Sequence, residues 1–184
     1  MKKMPMLAPV LLSLTLLNGC GNSTLFRASE IEDDDLIEVS FDAVDQLLLN
    51  LKQPLPRGSL VVINSMVNVD DLGQTLPFGR IVSDQVTSAM HRAGYRVMGM
   101  ELPTEIFAKN DAGILQLPEK TKEALNAVHA NALVIGTYAA GRSNVYVSLR
   151  VVELSTQNII SSTDYSIPMG PDARIMATRP QPKQ

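Results

Sequence analysis

The chain has 184 residues, 45% of them hydrophobic and 19% charged, which is enough for one domain with a proper core and short appendages. Its net charge of −3 and the absence of Trp, with only 4% aromatic residues, argue against a nucleic-acid partner. Setting aside Lys2 and Lys3 leaves 14 of the 16 basic residues against 19 acidic ones, so the balance becomes more acidic still.

Residues 1–19 have the three parts of an export signal. Lys2 and Lys3 supply a positive start, Met6 to Leu17 an apolar run, and small or polar residues lead to a break. The run is too short to span a membrane as a helix. It ends at Leu17-Asn18-Gly19-Cys20, which holds the only cysteine of the chain. A lone thiol makes no intramolecular disulfide, and no histidine or other cysteine stands near it to form a metal or redox site. The tetrapeptide resembles a bacterial lipobox, with Asn18 its one departure. That resemblance implies signal cleavage between Gly19 and Cys20 and acyl chains attached to Cys20. Two or more chains anchor a protein stably, at about 0.8 kcal/mol per buried methylene. Gly21, rather than Asp, after the cysteine implies sorting to the outer membrane of a Gram-negative cell.

Residues 20–35 are expected to form a flexible acidic tether, ending in Glu30, Glu32, Asp33, Asp34 and Asp35. The three aspartates lack the alternation and glycine of a calcium loop, and acidic side chains suit the start of a helix. Leu36 to Leu51 is that helix, with Ile37, Phe41, Val44, Leu48 and Leu51 on one face. Leu60 to Val69 follows as a strand buried on both sides. Pro77 then opens a helix to Ala93, with Ile81, Val82, Val86, Ala89, Met90 and Ala93 inward and Gly94 as its cap.

Tyr95 to Met100 is a short strand. Residues 104–109 suggest a helical turn, and Gly113 to Leu117 a short edge strand. A third helix spans Pro118 to Ala130 with Thr121, Ala124, Leu125 and Val128 inward, and Asn131 to Tyr138 is another buried strand. Val145 to Leu154 alternates and pairs with Ile159 to Ile167 as a hairpin, completing an antiparallel meander. The proline- and glycine-rich residues 169–184 are expected to be disordered. The order α-β-α-β-α-β-β-β predicts one α+β domain over 36–168, a mixed sheet with helices packed on it.

The ordered motifs "NVDDLGQTLPFGRIVSDQVTSAMHRAGYRVMGMEL", "EIFAKNDAGILQL" and "HANALVIGTYAAGRSNVYVSLRVVEL" resemble the FlgO family of flagellar outer-membrane lipoproteins. The similarity runs from about Leu36 to Ile167. It implies a structural, protein-binding role in the flagellar apparatus, with motility and flagellar stability depending on it. The implied partners are the membrane, through Cys20, and other flagellar outer-membrane proteins; a homo-oligomer is compatible with it. The family's last hairpin carries Gly where this chain has Thr156-Gln157-Asn158, of which Asn tolerates the left-handed conformation. More widely, the pattern resembles periplasmic α/β domains such as the amino-terminal domain of TolB and lipoprotein activators of peptidoglycan synthases. That makes a binding module for a cell-envelope enzyme the alternative role.

No residue presents itself as catalytic, cofactor-binding or metal-ligating, and an enzyme is not expected. His91 and His129 each lie late in a predicted helix, where a cation is mildly stabilising. Asp70 and Asp71 follow the first strand, a common place for catalytic groups, but no companion histidine or carboxylate motif joins them. They are expected to cap the next helix, with Arg80 and Arg96 as ion-pair partners. Met66, Met90, Met98 and Met100 are expected on core or sheet faces, where methionine fills gaps.

Overall fold

Asp35 starts the first helix. In the computed structural model, which describes residues 32–107 and 117–178, its carboxylate accepts from the N–H groups of Ile37 and Glu38 at 2.9 and 3.2 Å. These are donors the first turn leaves without intrahelical partners. Helix α1 spans Leu36–Leu49 and buries Ser40, Ala43, Val44 and Leu47. The buried stripe is rotated from the one expected, so Ile37 points outward and is 58% exposed. Periodicity located the helix but did not choose between two adjacent faces, because Ser40 takes an inward place by donating to Gln85 Oε1 at 2.7 Å.

Strand β1 (Leu60–Asn64) is buried at every residue, as a run of β-branched side chains inside a sheet should be. The expected strand to Val69 breaks at Ser65. Met66 gives its N–H to Ser83 Oγ at 2.8 Å rather than to the sheet, and only Val67–Asn68 resumes as β2. Helix α2 (Pro77–Arg92) has Pro in its first turn and buries Phe78, Gly79, Val82, Ser83, Val86, Ala89 and Met90. Ile81, expected inward, is partly exposed. Gly94 closes the helix at φ +92, with Gly94 N–H on His91 O and Tyr95 N–H on Met90 O, the paired bonds of a left-handed cap.

Strand β3 (Arg96–Met100) is followed by a 3₁₀ turn at Thr104–Phe107. The edge strand expected at Gly113 to Leu117 falls, but for Leu117, outside the described residues. Helix α3 (Glu119–Ala127) buries Thr121 and Leu125 and leaves Ala124 exposed. Strands β4 (Ala132–Ala140), β5 (Asn144–Glu153) and β6 (Ile159–Pro168) form the expected meander.

The sheet order is β3-β1-β4-β5-β6, with β2 pairing to β4. β1 is parallel to β3 and β4, whereas β4, β5 and β6 are antiparallel. The sheet is therefore mixed, in one α+β domain. One face packs under α1 and α2 around Leu47, Phe78, Val82, Met90, Val134 and Leu149. The other packs Val62, Leu133, Ile135 and Val152 against Leu125, Ile106 and Leu117. Beyond α3 that second face is open, with Tyr146, Arg150 and Asp164 exposed.

The chain does not lose order at Met169. Residues Pro171–Ala177 form a further helix, α4, with Pro at its start and Ala173 and Ala177 buried. Residues 169–177 depart from the expected disorder because the helix is capped from far away in sequence: Asp33 accepts from the N–H groups of Asp172 and Ala173 at 2.9 and 3.0 Å. Asp33 and Asp35, read from the sequence as parts of a tether, are thus helix caps. The leader at 1–19, the cleavage site, Cys20, the tether to Ile31 and the tail from Arg179 lie outside the described residues.

Candidate functional site

A cleft of 460 Å³ opens at the carboxyl ends of the parallel strands, lined by Asn68, Asp70, Asp71, Leu76, Ala140, Ala177 and Thr178. This is where α/β sheets commonly bind ligands, and it contains both aspartates singled out from the sequence. Their local bonds are those of a turn. Asn68 Oδ1 accepts from Asp70 N at 2.9 Å, and Asp71 Oδ1 accepts from Gly73 N at 3.2 Å. The loop thereby holds its own backbone polar groups, the usual work of Asn and Asp side chains in turns.

The floor of the cleft is a packed junction. Tyr138 is fully buried, and its hydroxyl oxygen accepts from Leu76 N at 3.1 Å. Its ring meets Phe78 with centroids 5.2 Å apart. Burial raises the Tyr138 phenol pKa, opposed by the Leu76 hydrogen bond and the Arg80 charge. Gly79 lets α2 lie directly on the carbonyl of Met66, and Gly136 leaves the notch that the Met66 thioether fills; a Cβ at either would collide with Met66. With Phe78 and Gly79 buried, the first turn of α2 serves packing rather than an anion.

The expected ion pairs take another form. Arg80 Nη1 donates to Thr75 O at 2.9 Å, tying the loop to its helix. Arg96 pairs in register with Leu60, at the start of β1. It therefore lies at the opposite end of the strands from Asp70, too far for an ion pair. His91 is in the last turn of α2, as expected. His129 lies past the end of α3 in the left-handed conformation, φ 56, with its N–H on Asn126 O and Ala130 N–H on Leu125 O. Among the described residues, no group of three His, Cys, Asp or Glu side chains is placed to hold a metal.

A second cleft of 330 Å³ lies at the other end of the sheet, among Pro54, Leu55, Ser59, Asn126, Asn131, Glu153 and Leu154. Asn131 Oδ1 accepts there from Leu60 N at 2.9 Å. Between the helices and the sheet, Tyr165 is partly buried, with its hydroxyl enclosed near Ser40 and making no well-formed hydrogen bond among the described residues. Burial pushes its pKa up to about 12, with the Ser40 side chain pulling the other way. The polar groups with unusual environments are thus dispersed: Tyr138 under one cleft, Tyr165 beneath α1.

The class follows from this architecture: a single α+β domain with a mixed sheet, sharing its fold with the C-terminal domain of LpoB. The Salmonella enterica LpoB domain superposes with a TM-score of 0.53 at 15% identity, covering 72% of this chain and 98% of that one. The Escherichia coli domain gives 0.51 at 15% identity, with the same coverage. No curated protein sequence matches the chain. The family model described as FlgO protein matches residues 41–172, and the chain belongs to the FlgO family.

Proposed function

We propose that this protein is an outer-membrane lipoprotein, held by acyl groups on Cys20, whose domain binds other proteins of the flagellar apparatus and supports motility. The observation that carries it is the family match across 41–172, following a leader that ends in Leu17-Asn18-Gly19-Cys20. The domain works by contact and not by catalysis, in keeping with polar side chains committed to turns and caps. Swimming and flagellar imaging of wild-type, deletion and Cys20→Ala strains test it. Fewer or abnormal flagella in both mutants are expected; normal swimming and flagellation in a clean deletion would sink the flagellar role.

The fold shared with the LpoB domains favours a second reading, a module that binds or scaffolds a cell-envelope enzyme such as a peptidoglycan synthase. Reach weighs against it. Asp33 is fastened to α4, so only residues 21–32 separate the anchor from the domain, at most about 40 Å when extended. Capture of a synthase by the soluble domain, with none of the flagellar proteins, would replace the first reading with this one.

A further inference from the structure

Two helices start from one point in this fold. Asp33 caps α4 and sits against Gly170, where a side chain would collide with its carboxylate. Asp35, two residues on, caps α1. The chain leading back to Cys20 therefore leaves the domain where α1 and α4 both begin. The carboxyl ends of the parallel strands lie at this same end, because α1 runs away from it and β1 returns.

The surface here carries two exposed isoleucines. Helix α4 turns Ala173 and Ala177 inward and leaves Ile175 75% exposed, with Arg174 exposed beside it. Ile37, in the first turn of α1, is exposed as well. Scattered exposed isoleucines are ordinary; these two stand on the two elements fastened to the base of the tether. Resting on the reading of Cys20 as the lipid anchor, we propose that α4 and the first turn of α1 face the membrane, with Ile175 seated in the lipid interface.

The chain outside the structure sets the occupant. With only residues 21–32 between anchor and cap, this end of the domain cannot move far from the bilayer. A short linker gives an effective concentration in the millimolar range, so a contact too weak to hold a free domain is populated when it is tethered. Charge gives no attraction here: Asp33 and Asp35 are turned to helix N-termini, but Glu32, Asp34, Glu38 and Asp172 are exposed around Arg174, so the contact rests on apolar burial and the short tether. The cleft lined by Asp70 and Asp71 then opens on the membrane side. The cleft at Pro54, Asn131 and Glu153 faces away, toward incoming partners.

The chain has no Trp, so single reporters are clean. Ile175→Trp probes the proposed surface. Leu49→Trp, at a 77% exposed site at the far end of α1, is the control, about 20 Å along the helix from its start. The full lipidated chain is reconstituted into phosphatidylethanolamine–phosphatidylglycerol vesicles, with and without brominated acyl chains, and flotation reports anchoring. Seated about 5–10 Å into the interface, the Ile175→Trp reporter is expected to shift to the blue and lose about half its emission to brominated lipid. The Leu49→Trp reporter should not change. Failure to float overturns the anchor reading and this one with it. Flotation with water-like emission from Ile175→Trp, or equal quenching at both sites, overturns the orientation alone. A blue shift without vesicles that grows with protein concentration assigns the surface to a second copy and also overturns it.

Discussion

Asp33 and Ala173 are 140 residues apart in sequence and joined by a 3.0 Å hydrogen bond from the Ala173 N–H to the Asp33 carboxylate. With the companion bond to Asp172, this closes the domain by tying its first described residues to its last helix. Losing an N-terminal cap costs about 1 kcal/mol. Asp33→Ala should lower stability by roughly that much and raise amide exchange across α4. Asp34→Ala, at a neighbour with no capping bond among the described residues, should do neither. Equal effects from the two substitutions in urea melts would show that α4 is held by packing alone.

Met66 is gripped by two glycines, Gly79 on its carbonyl and Gly136 on its thioether. An exposed mid-helix Gly→Ala change gains up to about 1 kcal/mol, but here the sign should reverse. Gly79→Ala meets backbone that cannot give way and should cost about 1–3 kcal/mol or more, as overpacked cores do. Gly136→Ala meets a flexible sulfur first and the Leu149 side chain second. Its cost should shrink in a Met66→Ala background, which a double-mutant cycle on chemical denaturation will show.

The fold was legible where local pattern and burial agree. β1 reads as a buried run and is one; Gly94 reads as a helix cap and is one. Local pattern failed where the deciding partner is distant. The acidic run resembled solvated tether because nothing nearby in sequence shows that Asp33 will meet Asp172. Gly170-Pro171-Asp172 carries an ordinary helix-start signal, yet a seven-residue helix is too short to persist without the tertiary contacts that Asp33, Ala173 and Ala177 supply. The face of α1 slipped because Ser40 is buried through a bond to another helix. At the candidate site, Asp70 and Asp71 were correctly placed beyond the first strand, while the Arg96 pairing failed on strand direction alone.

Among the described residues, two non-glycine residues hold a positive φ, His129 at 56 and Gln157 at 59. In the turn Thr156-Gln157-Asn158, where Asn tolerates the left-handed conformation, it is Gln157 that adopts it, with its N–H on Glu153 O at 2.8 Å. A left-handed backbone costs roughly 1 kcal/mol for a residue with a Cβ, against which glycine's greater unfolded-state entropy counts. His129→Gly and Gln157→Gly should each stabilise by up to about 1 kcal/mol and add nearly independently. His129→Ala should not stabilise, so the comparison separates conformation from loss of the imidazole in thermal melts.

Tyr165 gives the domain an alkaline limit. Its phenol moves from the ordinary 10.0 to about 12 on folding, through burial. The folded state thus keeps a proton that the unfolded state has lost between those values. Stability from this group is complete below about pH 10 and falls as pH rises toward 12, by roughly 2–3 kcal/mol in all. Tyr138, also raised by burial, adds to the fall with the same sign. Tyr165→Phe removes the titrating group while keeping the ring, and it deletes a hydroxyl that makes no well-formed hydrogen bond among the described residues. At pH 7 it should therefore be near neutral or slightly stabilising, and between pH 10 and 12 its stability should decline less steeply than that of the wild type. Urea titrations at stepped pH measure both slopes; parallel curves would mean the phenolate is accommodated without loss, and that Ser40 and Gln85 rearrange to receive it.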